Sequence, residues 1–472
     1  MIEQSPVKKI HFVGIGGAGM SGIAEVLHNM GFIVSGSDIS ESETVKRLKS
    51  MGITVYLGHN KNNLGEAETL VYSSAVSREN DEVREALHRK IPVIPRGEML
   101  AELMRVKFSI AVAGTHGKTT TTSMIATILT QARKDPTFVV GGRLKIGESL
   151  AKGAKLGKSH YLVAEADESD GSLVKLFPTL AVITNIENDH LDYYQTMDNL
   201  KAAFTEFGNK VPFYGSVILN YDCPVTREIA SGFNKRQVTY SSTRDADVQA
   251  ENIETSPFAA GFDVKIAGKH GGRIGLNVGG THNVMNALAA ITTALEVGID
   301  IETVTEGLKR FYLPDRRFQV LFFNNDYLVV DDYGHHPTEI KITLETLRCG
   351  DFKRIITVFQ PHRYTRLQLL MDRFATCFES TDLLMVAPLY SANQTKIPDV
   401  TSRALVEKIK QTGFNPNRIY SIDTFDGILE HLAAVIDKGD AVVFFSAGDL
   451  TRAAHHFAQQ LGERVKKGAA EK

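Results

Sequence analysis

The chain has 472 residues, 43% of them hydrophobic and 23% charged, with a formal net charge of −2 and three cysteines. This is the balance of a globular protein long enough for about three domains, and it gives no electrostatic reason to expect nucleic acid or an anionic membrane as a partner. Cys223, Cys349 and Cys377 are too scattered for a disulfide framework or a metal site, and no signal-peptide core or membrane-length apolar run is visible, so a cytoplasmic protein is expected.

Ile10 to Val13 reads as a short strand, followed by the turn Gly14-Ile15-Gly16-Gly17-Ala18-Gly19. A helix then follows, with Met20, Ile23, Ala24, Leu27 and Met30 on its buried stripe. A second strand from Phe32 leads to Asp38, and apolar runs at 53–57, 70–72 and 92–94 alternate with helix-compatible segments. Such alternation predicts a parallel sheet covered by helices. Gly14-x-Gly16-x-x-Gly19 with Asp38 beyond the second strand is a dinucleotide fingerprint. A pyrophosphate can approach the backbone there, and a carboxylate can meet a hydroxyl or N–H group. NAD, FAD and a UDP-sugar all satisfy that chemistry, and glycines serving only close helix–strand packing would look the same. Ser73 and Ser74 follow another strand, either reaching the same crevice or simply turning the chain.

Phe108 to Val112 predicts a buried strand, and Met124, Ile125, Ile128 and Leu129 recur at helical spacing behind it. Between them lies Gly114-Thr115-His116-Gly117-Lys118-Thr119-Thr120. A glycine turn opening a helix presents backbone N–H groups at the positive end of the helix dipole, which suits a polyphosphate. Lys118 adds a point charge near the outer phosphates, and the Thr119 hydroxyl suits Mg2+. Val112 stands where the strict Walker pattern has glycine, yet Gly-Lys-Thr in this context reads as a nucleoside triphosphate site. Two further strands end at Glu165 and before His190, and ligands of open parallel sheets bind beyond such ends. Thr119, Glu165 and His190 together would make an oxygen-rich Mg2+ site with one imidazole. Singly, the acidic run 165–170 reads as a solvated loop and His190 as a turn histidine. After short β segments between 213 and 280, Asn283 and Asn286 open a helix and share one face. Asn283 also reads as a plain N-cap.

Leu313-Pro314-Asp315-Arg316-Arg317-Phe318 has the composition of a hinge. Beyond it, strands at 328–331, 355–359, 383–386, 418–420 and 441–445 alternate with helices, predicting a second open α/β domain. Polar residues gather after its first strands. Arg363 and Arg366 are fork donors for a carboxylate or phosphate, whereas His335 and His336 are neighbours that face opposite ways in an extended chain.

Taken together, HFVGIGGAGMSGIAE (11–25), GTHGKTTT (114–121), EADESDGS (165–172), NIENDHLD (185–192), GTHNVMNALAA (280–290), DRRF (315–318), DDYGHHPTEI (331–340) and FQPHRYTR (359–366) resemble the Mur ligases of bacterial cell-wall synthesis. The resemblance runs over nearly the whole chain. It implies an α/β enzyme of three domains: a Rossmann-like UDP-substrate domain (1–107), a P-loop ATPase-like parallel sheet with a small β section (108–313), and a Rossmann-like C-terminal domain (314–472). The implied reaction joins L-alanine to the lactyl carboxylate of UDP-N-acetylmuramate, using ATP and Mg2+, in a monomer or homodimer. By motif position Gly16, Gly17, Ala18, Gly19, Met20, Ser21, Asp38, Ser73 and Ser74 look like the UDP-substrate residues. Gly114 to Thr120, Asn283, Asn286, Arg317 and Asp332 look like the ATP residues, with the asparagines by the adenine, Asp332 by the ribose and Arg317 by the phosphates. Lys118, Glu165, His190 and Arg317 take catalytic roles, Thr119, Glu165 and His190 the metal. Tyr333, His362, Arg363 and Arg366 look similar to residues that hold the amino acid and the substrate carboxylate. Two departures stand out: Ser446-Ala-Gly-Asp449 replaces Gly-Ala-Gly-Asp, and 390–396 lacks an expected acidic residue. Two other classes compete. An NAD dehydrogenase leaves the loop at 114–119 unexplained, and a non-catalytic nucleotide sensor would release no phosphate. Within the family, a ligase that attaches a tripeptide to the same sugar nucleotide differs in its N-terminal glycine motif.

Overall fold

The structure, a computed structural model, describes residues 7–146, 149–392 and 394–470, with side chains throughout except at 18, 142–146, 149–152, 192 and 468–470. Its three α/β domains are each built on their own sheet. The first sheet is wholly parallel, with order β3-β2-β1-β4-β5 from β1 (Lys9–Val13), β2 (Ile33–Asp38), β3 (Thr54–Leu57), β4 (Thr69–Tyr72) and β5 (Val93–Pro95). The strand order reverses between β1 and β4, so the glycine turn after β1 and the serines after β4 open at the same carboxyl-end crevice.

The second sheet has ten strands: β6 (Phe108–Ala113), β7 (Thr137–Ile146), β8 (Ser149–Lys155), β9 (Tyr161–Glu165), β10 (Leu180–Ile183), β11 (Ser216–Asn220), β12 (Gln237–Ser241), β13 (Val248–Thr255), β14 (Ala260–Ile266) and β15 (Lys269–Leu276). Their order is β15-β14-β13-β12-β11-β10-β6-β9-β7-β8. β6 lies between β9 and β10, parallel to both, with Val112 opposite Glu165 and Ala113 opposite Ile183. That register brings the loop after β6 between the ends of its two neighbours. The β7–β8 hairpin is antiparallel and has no counterpart in the sequence expectations. The helix Ala18–Asn29 packs on it through Gly22, where an added Cβ would lie 3.1 Å from Ala154 and 3.2 Å from Val139.

The third sheet has the order β16-β17-β21-β18-β19-β20, from β16 (Gln319–Phe323), β17 (Tyr327–Asp332), β18 (Arg354–Phe359), β19 (Leu383–Val386), β20 (Ile419–Ser421) and β21 (Asp440–Phe445). Only β16 runs antiparallel to its neighbour. Both faces are covered. Ile340, Leu344 and Leu405 pack on one, and Ile428, Leu432 and Phe457 on the other. This double burial explains the continuous apolar runs of β18 and β21.

By internal packing the chain divides into two compact units. The first comprises Met1–Asn252, Phe262–Leu276 and Asn283–Tyr312, the second Ile253–Gly261, Asn277–His282 and Leu313–Lys472. Among the described residues no helix is long and apolar enough to cross a membrane.

Candidate functional site

In the first unit the glycine turn is drawn tightly against β2. Gly14 and Ile15 donate their N–H groups to the Ser37 carbonyl at 2.9 and 3.0 Å, and Gly16 donates to Asp38 Oδ2 at 2.8 Å. A Cβ at Gly16 would fall 2.8 Å from that carboxylate oxygen, so only glycine lets Asp38 approach the turn. Met20 and Ser21 are buried at the start of the helix, while Ala18 lies outside the residues whose side chains are described. Ser73 donates its N–H to the Val13 carbonyl (3.1 Å) and accepts from Ala75 at Oγ (3.3 Å), so it makes a turn beside the crevice; Ser74 is exposed. Under the turn lies a buried network. Glu82 accepts from His11 Nε2 (3.0 Å), Ser37 Oγ (2.6 Å), the Asn60 N–H (3.0 Å) and Asn63 Nδ2 (2.7 Å). Burial pushes this carboxyl up, but the bonds from His11, Ser37 and the asparagines outweigh it and hold it low.

The glycine loop 114–119 lies in the same unit. Gly114 and Gly117 have φ of +135° and +82°, conformations open to glycine, and Lys118 is the first residue of the helix Lys118–Gln131. The loop is tied to the end of β10. Thr115 donates to the Asn185 carbonyl (3.0 Å), His116 donates its N–H to Asn185 Oδ1 (2.8 Å), and Thr184 Oγ1 donates to the His116 carbonyl (2.6 Å). Lys118 Nζ donates to the carbonyls of Gly114 (2.5 Å) and Thr115 (3.3 Å) and to Glu168 Oε1 (2.7 Å). Burial alone would lower the Lys118 ammonium pKa; Glu168, Asp167 and Glu165 outweigh it and raise it, so the charge is kept.

Beside Lys118 the acidic run is structured rather than a solvated loop. Asp167 and Asp170 both accept from Arg96 Nη2, at 3.1 and 3.2 Å. Asp167 sits in a buried place that would raise it, yet Arg96 and Lys118 bring it down to about 2. Glu168 is pushed up to about 7 by burial, which Lys118 only partly offsets. Glu165, opposite Val112, accepts the Gly141 N–H at 2.7 Å. His190 has φ +56° and caps the short helix Leu191–Tyr194, with its Nε2 3.5 Å from Asp189. Asn283 and Asn286 are both buried. Asn286 Nδ2 donates to Asn283 Oδ1 (3.2 Å), and Asn286 Oδ1 accepts from Thr121 (3.2 Å) on the helix Lys118–Gln131. Asn283 stands inside the first turn of the helix Thr281–Glu296 rather than ahead of it, so the plain N-cap reading does not hold.

In the second unit Asp332 ends β17 and accepts the N–H groups of Phe318 (2.7 Å) and Gly334 (2.6 Å). Burial pushes its carboxyl up to about 6 despite Arg317. The guanidinium groups of Arg316 and Arg317 lie 4.9 and 5.3 Å from the centre of the Tyr333 ring, and Arg317 Nη1 is 3.6 Å from Glu339. His335 donates from Nδ1 to the Tyr333 carbonyl (3.0 Å), and burial, then Arg366, press its pKa down to about 3. Arg366 Nη1 donates to His362 Nδ1 (3.1 Å), and the His362 ring stacks on Tyr390 at 5.6 Å and 8°. A guanidinium can only donate, so Nδ1 is the accepting nitrogen of the His362 ring. Arg363 holds φ +70°, and among the described residues its guanidinium makes no hydrogen bond or ion pair. A guanidinium of this kind can donate two parallel N–H bonds to a carboxylate or phosphate. Ser446 directly follows β21. Its hydroxyl donates to Gln360 Oε1 (2.9 Å), and Gln360 Nε2 donates to Asp449 (2.8 Å).

Three participants escaped the sequence reading. Glu168 was only one member of an acidic run, Asn185 only part of a polar turn, and Arg96 followed a proline with no motif around it. Position beyond the end of β10 was the available signal for Asn185; for Arg96 there was none.

Three family models match successive stretches of the chain. Residues 9–108 match the model described as "Mur ligase family, catalytic domain", 112–294 the "Mur ligase middle domain", and 316–448 the "Mur ligase, glutamate ligase domain". A UDP-N-acetylmuramate–L-alanine ligase of Solibacter usitatus is 48% identical over 96% of this chain and 95% of its own. Another, of Syntrophotalea carbinolica, is 47% identical over 97% and 99%. A crystal structure of the UDP-N-acetylmuramate-alanine ligase MurC from Thermotoga maritima superposes with a TM-score of 0.82 at 28% identity, covering 97% of this chain and 99% of that one.

Proposed function

This chain belongs to the Mur ligase family, and we propose that it joins L-alanine to the lactyl carboxylate of UDP-N-acetylmuramate, converting ATP to ADP and phosphate and giving UDP-N-acetylmuramoyl-L-alanine. The observation that carries the reading is the placement of Lys118. It heads a helix behind a glycine loop, next to three acidic side chains, in the unit that also holds a pyrophosphate-type glycine turn. The relatives named above supply the identity of the sugar nucleotide and of the amino acid.

A carboxylate does not acylate an amine at neutral pH until it carries a leaving group. In-line attack of the lactyl carboxylate on the γ-phosphorus breaks the β,γ-bridge bond, releases ADP and leaves an acyl phosphate. The amine of alanine then attacks the acyl carbon, and phosphate leaves from the tetrahedral intermediate. Lys118 and the backbone N–H groups of 114–119 hold the outer phosphates and spread the charge of the transferring group, which is positioning and electrostatics. Asn283 and Asn286 are proposed to meet the adenine, Asp332 the ribose and Arg317 the phosphates. Arg363, with its spare fork, and the His362–Arg366 pair would take the amino acid and the substrate carboxylate. The donor set of Thr119, Glu165 and His190, two oxygens and an imidazole beside a phosphate loop, fits a divalent ion such as Mg2+ that keeps phosphate and water ligands. Bound there, it would neutralise phosphate charge. The glycine turn with Asp38 would carry the UDP pyrophosphate, its N–H groups facing the anion.

The test is phosphate release by the full chain with ATP, Mg2+ and UDP-N-acetylmuramate while single amino acids are varied. Release that requires the sugar nucleotide and is fastest with L-alanine is expected. Release indifferent to the sugar nucleotide, or none with any amino acid, would refute the assignment.

A further inference from the structure

Lys118 is held more completely than a waiting phosphate ligand needs to be. An ammonium has three N–H donors, and all three have protein acceptors: the carbonyls of Gly114 and Thr115, and Glu168 Oε1. A phosphate oxygen can reach this nitrogen only by replacing one of them. The two carbonyls belong to the loop, and losing them would loosen the turn that presents the N–H groups. Glu168 is the exchangeable partner.

Its setting supports that role. The residue is 1% exposed, and among the described residues its second oxygen, Oε2, is buried without a hydrogen-bond partner. A half-satisfied buried carboxylate is costly to keep. Its backbone is also fixed: the Glu168 carbonyl accepts from Tyr194 Oη (2.8 Å) and the Gly171 N–H (3.1 Å), and the flanking Asp167 and Asp170 are both tied to Arg96. Only the side chain is left to yield.

We propose that Glu168 is a positioning residue for ATP: its carboxylate occupies the place of a phosphate oxygen on Lys118, keeps the ammonium aimed, and is displaced by the incoming triphosphate. The exchange sets two like charges near each other in a buried setting, so part of the affinity for ATP is spent on moving Glu168 aside. The sign that follows is unusual for a buried residue beside a functional lysine: removing the charge tightens nucleotide binding.

This inference rests on the ATP reading above, and the experiment separates the two. The non-hydrolysable β,γ-imido analogue of ATP, ADP and adenosine are titrated into the full-length wild type, Glu168→Gln and Glu168→Met, with UDP binding as the check that each variant is folded. Gln keeps the shape and an acceptor for Lys118; Met keeps the length without charge and covers the case in which Gln does not fold. The dissociation constant for the analogue should fall about fivefold or more in either folded variant, less for ADP, and not at all for adenosine. A purely structural role for Glu168 would weaken all three ligands or leave them alone, and equal or weaker analogue binding in a folded variant would overturn the proposal. A wild type that binds UDP but not the analogue would instead bring down the ATP reading, and this inference with it.

Discussion

Gly117→Ala tests the phosphate loop at its tightest point. Gly117 holds φ +82°, and an added Cβ would lie 2.3 Å from Asn286 Oδ1. An alanine in left-handed backbone costs roughly 1–2 kcal/mol. Asn286 must also move, and it has little room: it is buried, accepts from Thr121 Oγ1 at 3.2 Å and donates to Asn283 at 3.2 Å. Losing those two bonds adds about 0.5–1.5 kcal/mol each, for a total of roughly 2–5 kcal/mol. If the loop relaxes instead of unfolding, the same energy appears as misplaced N–H groups, at about tenfold in affinity per 1.4 kcal/mol. The assay is ATP-analogue affinity beside UDP affinity and a denaturant midpoint. ATP affinity should drop at least about tenfold while UDP affinity stays within about twofold. Adding Asn286→Ala should relieve the collision but leave the backbone strain. A Gly117→Ala protein with wild-type ATP affinity and midpoint would refute the geometry.

Lys118→Ala should abolish acyl-phosphate formation while UDP-substrate binding survives, and stability should drop by about 1–3 kcal/mol because buried Glu168 loses its partner and takes up a proton. Equal loss of UDP binding and of chemistry in a folded variant would contradict this division of labour. Stability of the second unit should fall as pH drops from about 6.5 toward 3. Burial presses His335 to about 3 and His282 to about 4, so below the ordinary histidine value the unfolded chain binds more protons than the folded one. Asp332, raised by burial to about 6, acts oppositely, and so does Asp331, also raised by burial: the stabilising protonated form of Asp332 is lost as pH rises from about 4 to 6. The two histidines are displaced further from their ordinary value than Asp332 is from its own, and this leaves the net slope downward into acid. Midpoints from pH 7 to 4.5 read it, His335→Gln should flatten it, and a midpoint that rises on acidification would refute it. Arg366→Lys loses the planar guanidinium whose Nη1 holds His362, so the KM for the amino acid should rise about tenfold or more with the KM for ATP unchanged; matched changes in both would contradict the assignment.

Most of the scaffold could be read in advance because parallel strands buried on both faces are near-continuous apolar runs. Phe108, Leu180 and Ala441 each begin or lie within such a run, and each falls in a strand. The β7–β8 hairpin did not announce itself. Its partners include the Gly22 face of a distant helix, so its burial is supplied by tertiary contact that local pattern does not encode. The glycine motifs were legible for the opposite reason: positive φ at Gly14, Gly114 and Gly117 restricts the residue type at each spot. Side-chain pairing across the chain was not. Arg96 meets Asp167 and Asp170 more than 70 positions away, and Glu168 meets Lys118 fifty positions away. Asn283 could be placed on the same face as Asn286, but only the structure shows the two bonded and the cap reading closed.

In the proposed reaction the lactyl carboxylate becomes an acyl phosphate before it meets the amine. UDP-N-acetylmuramate labelled with 18O in that carboxylate, turned over with ATP and L-alanine, measures this directly by mass spectrometry of the released phosphate. One labelled oxygen per phosphate is the result expected. Phosphate released without label alongside formed amide would contradict it.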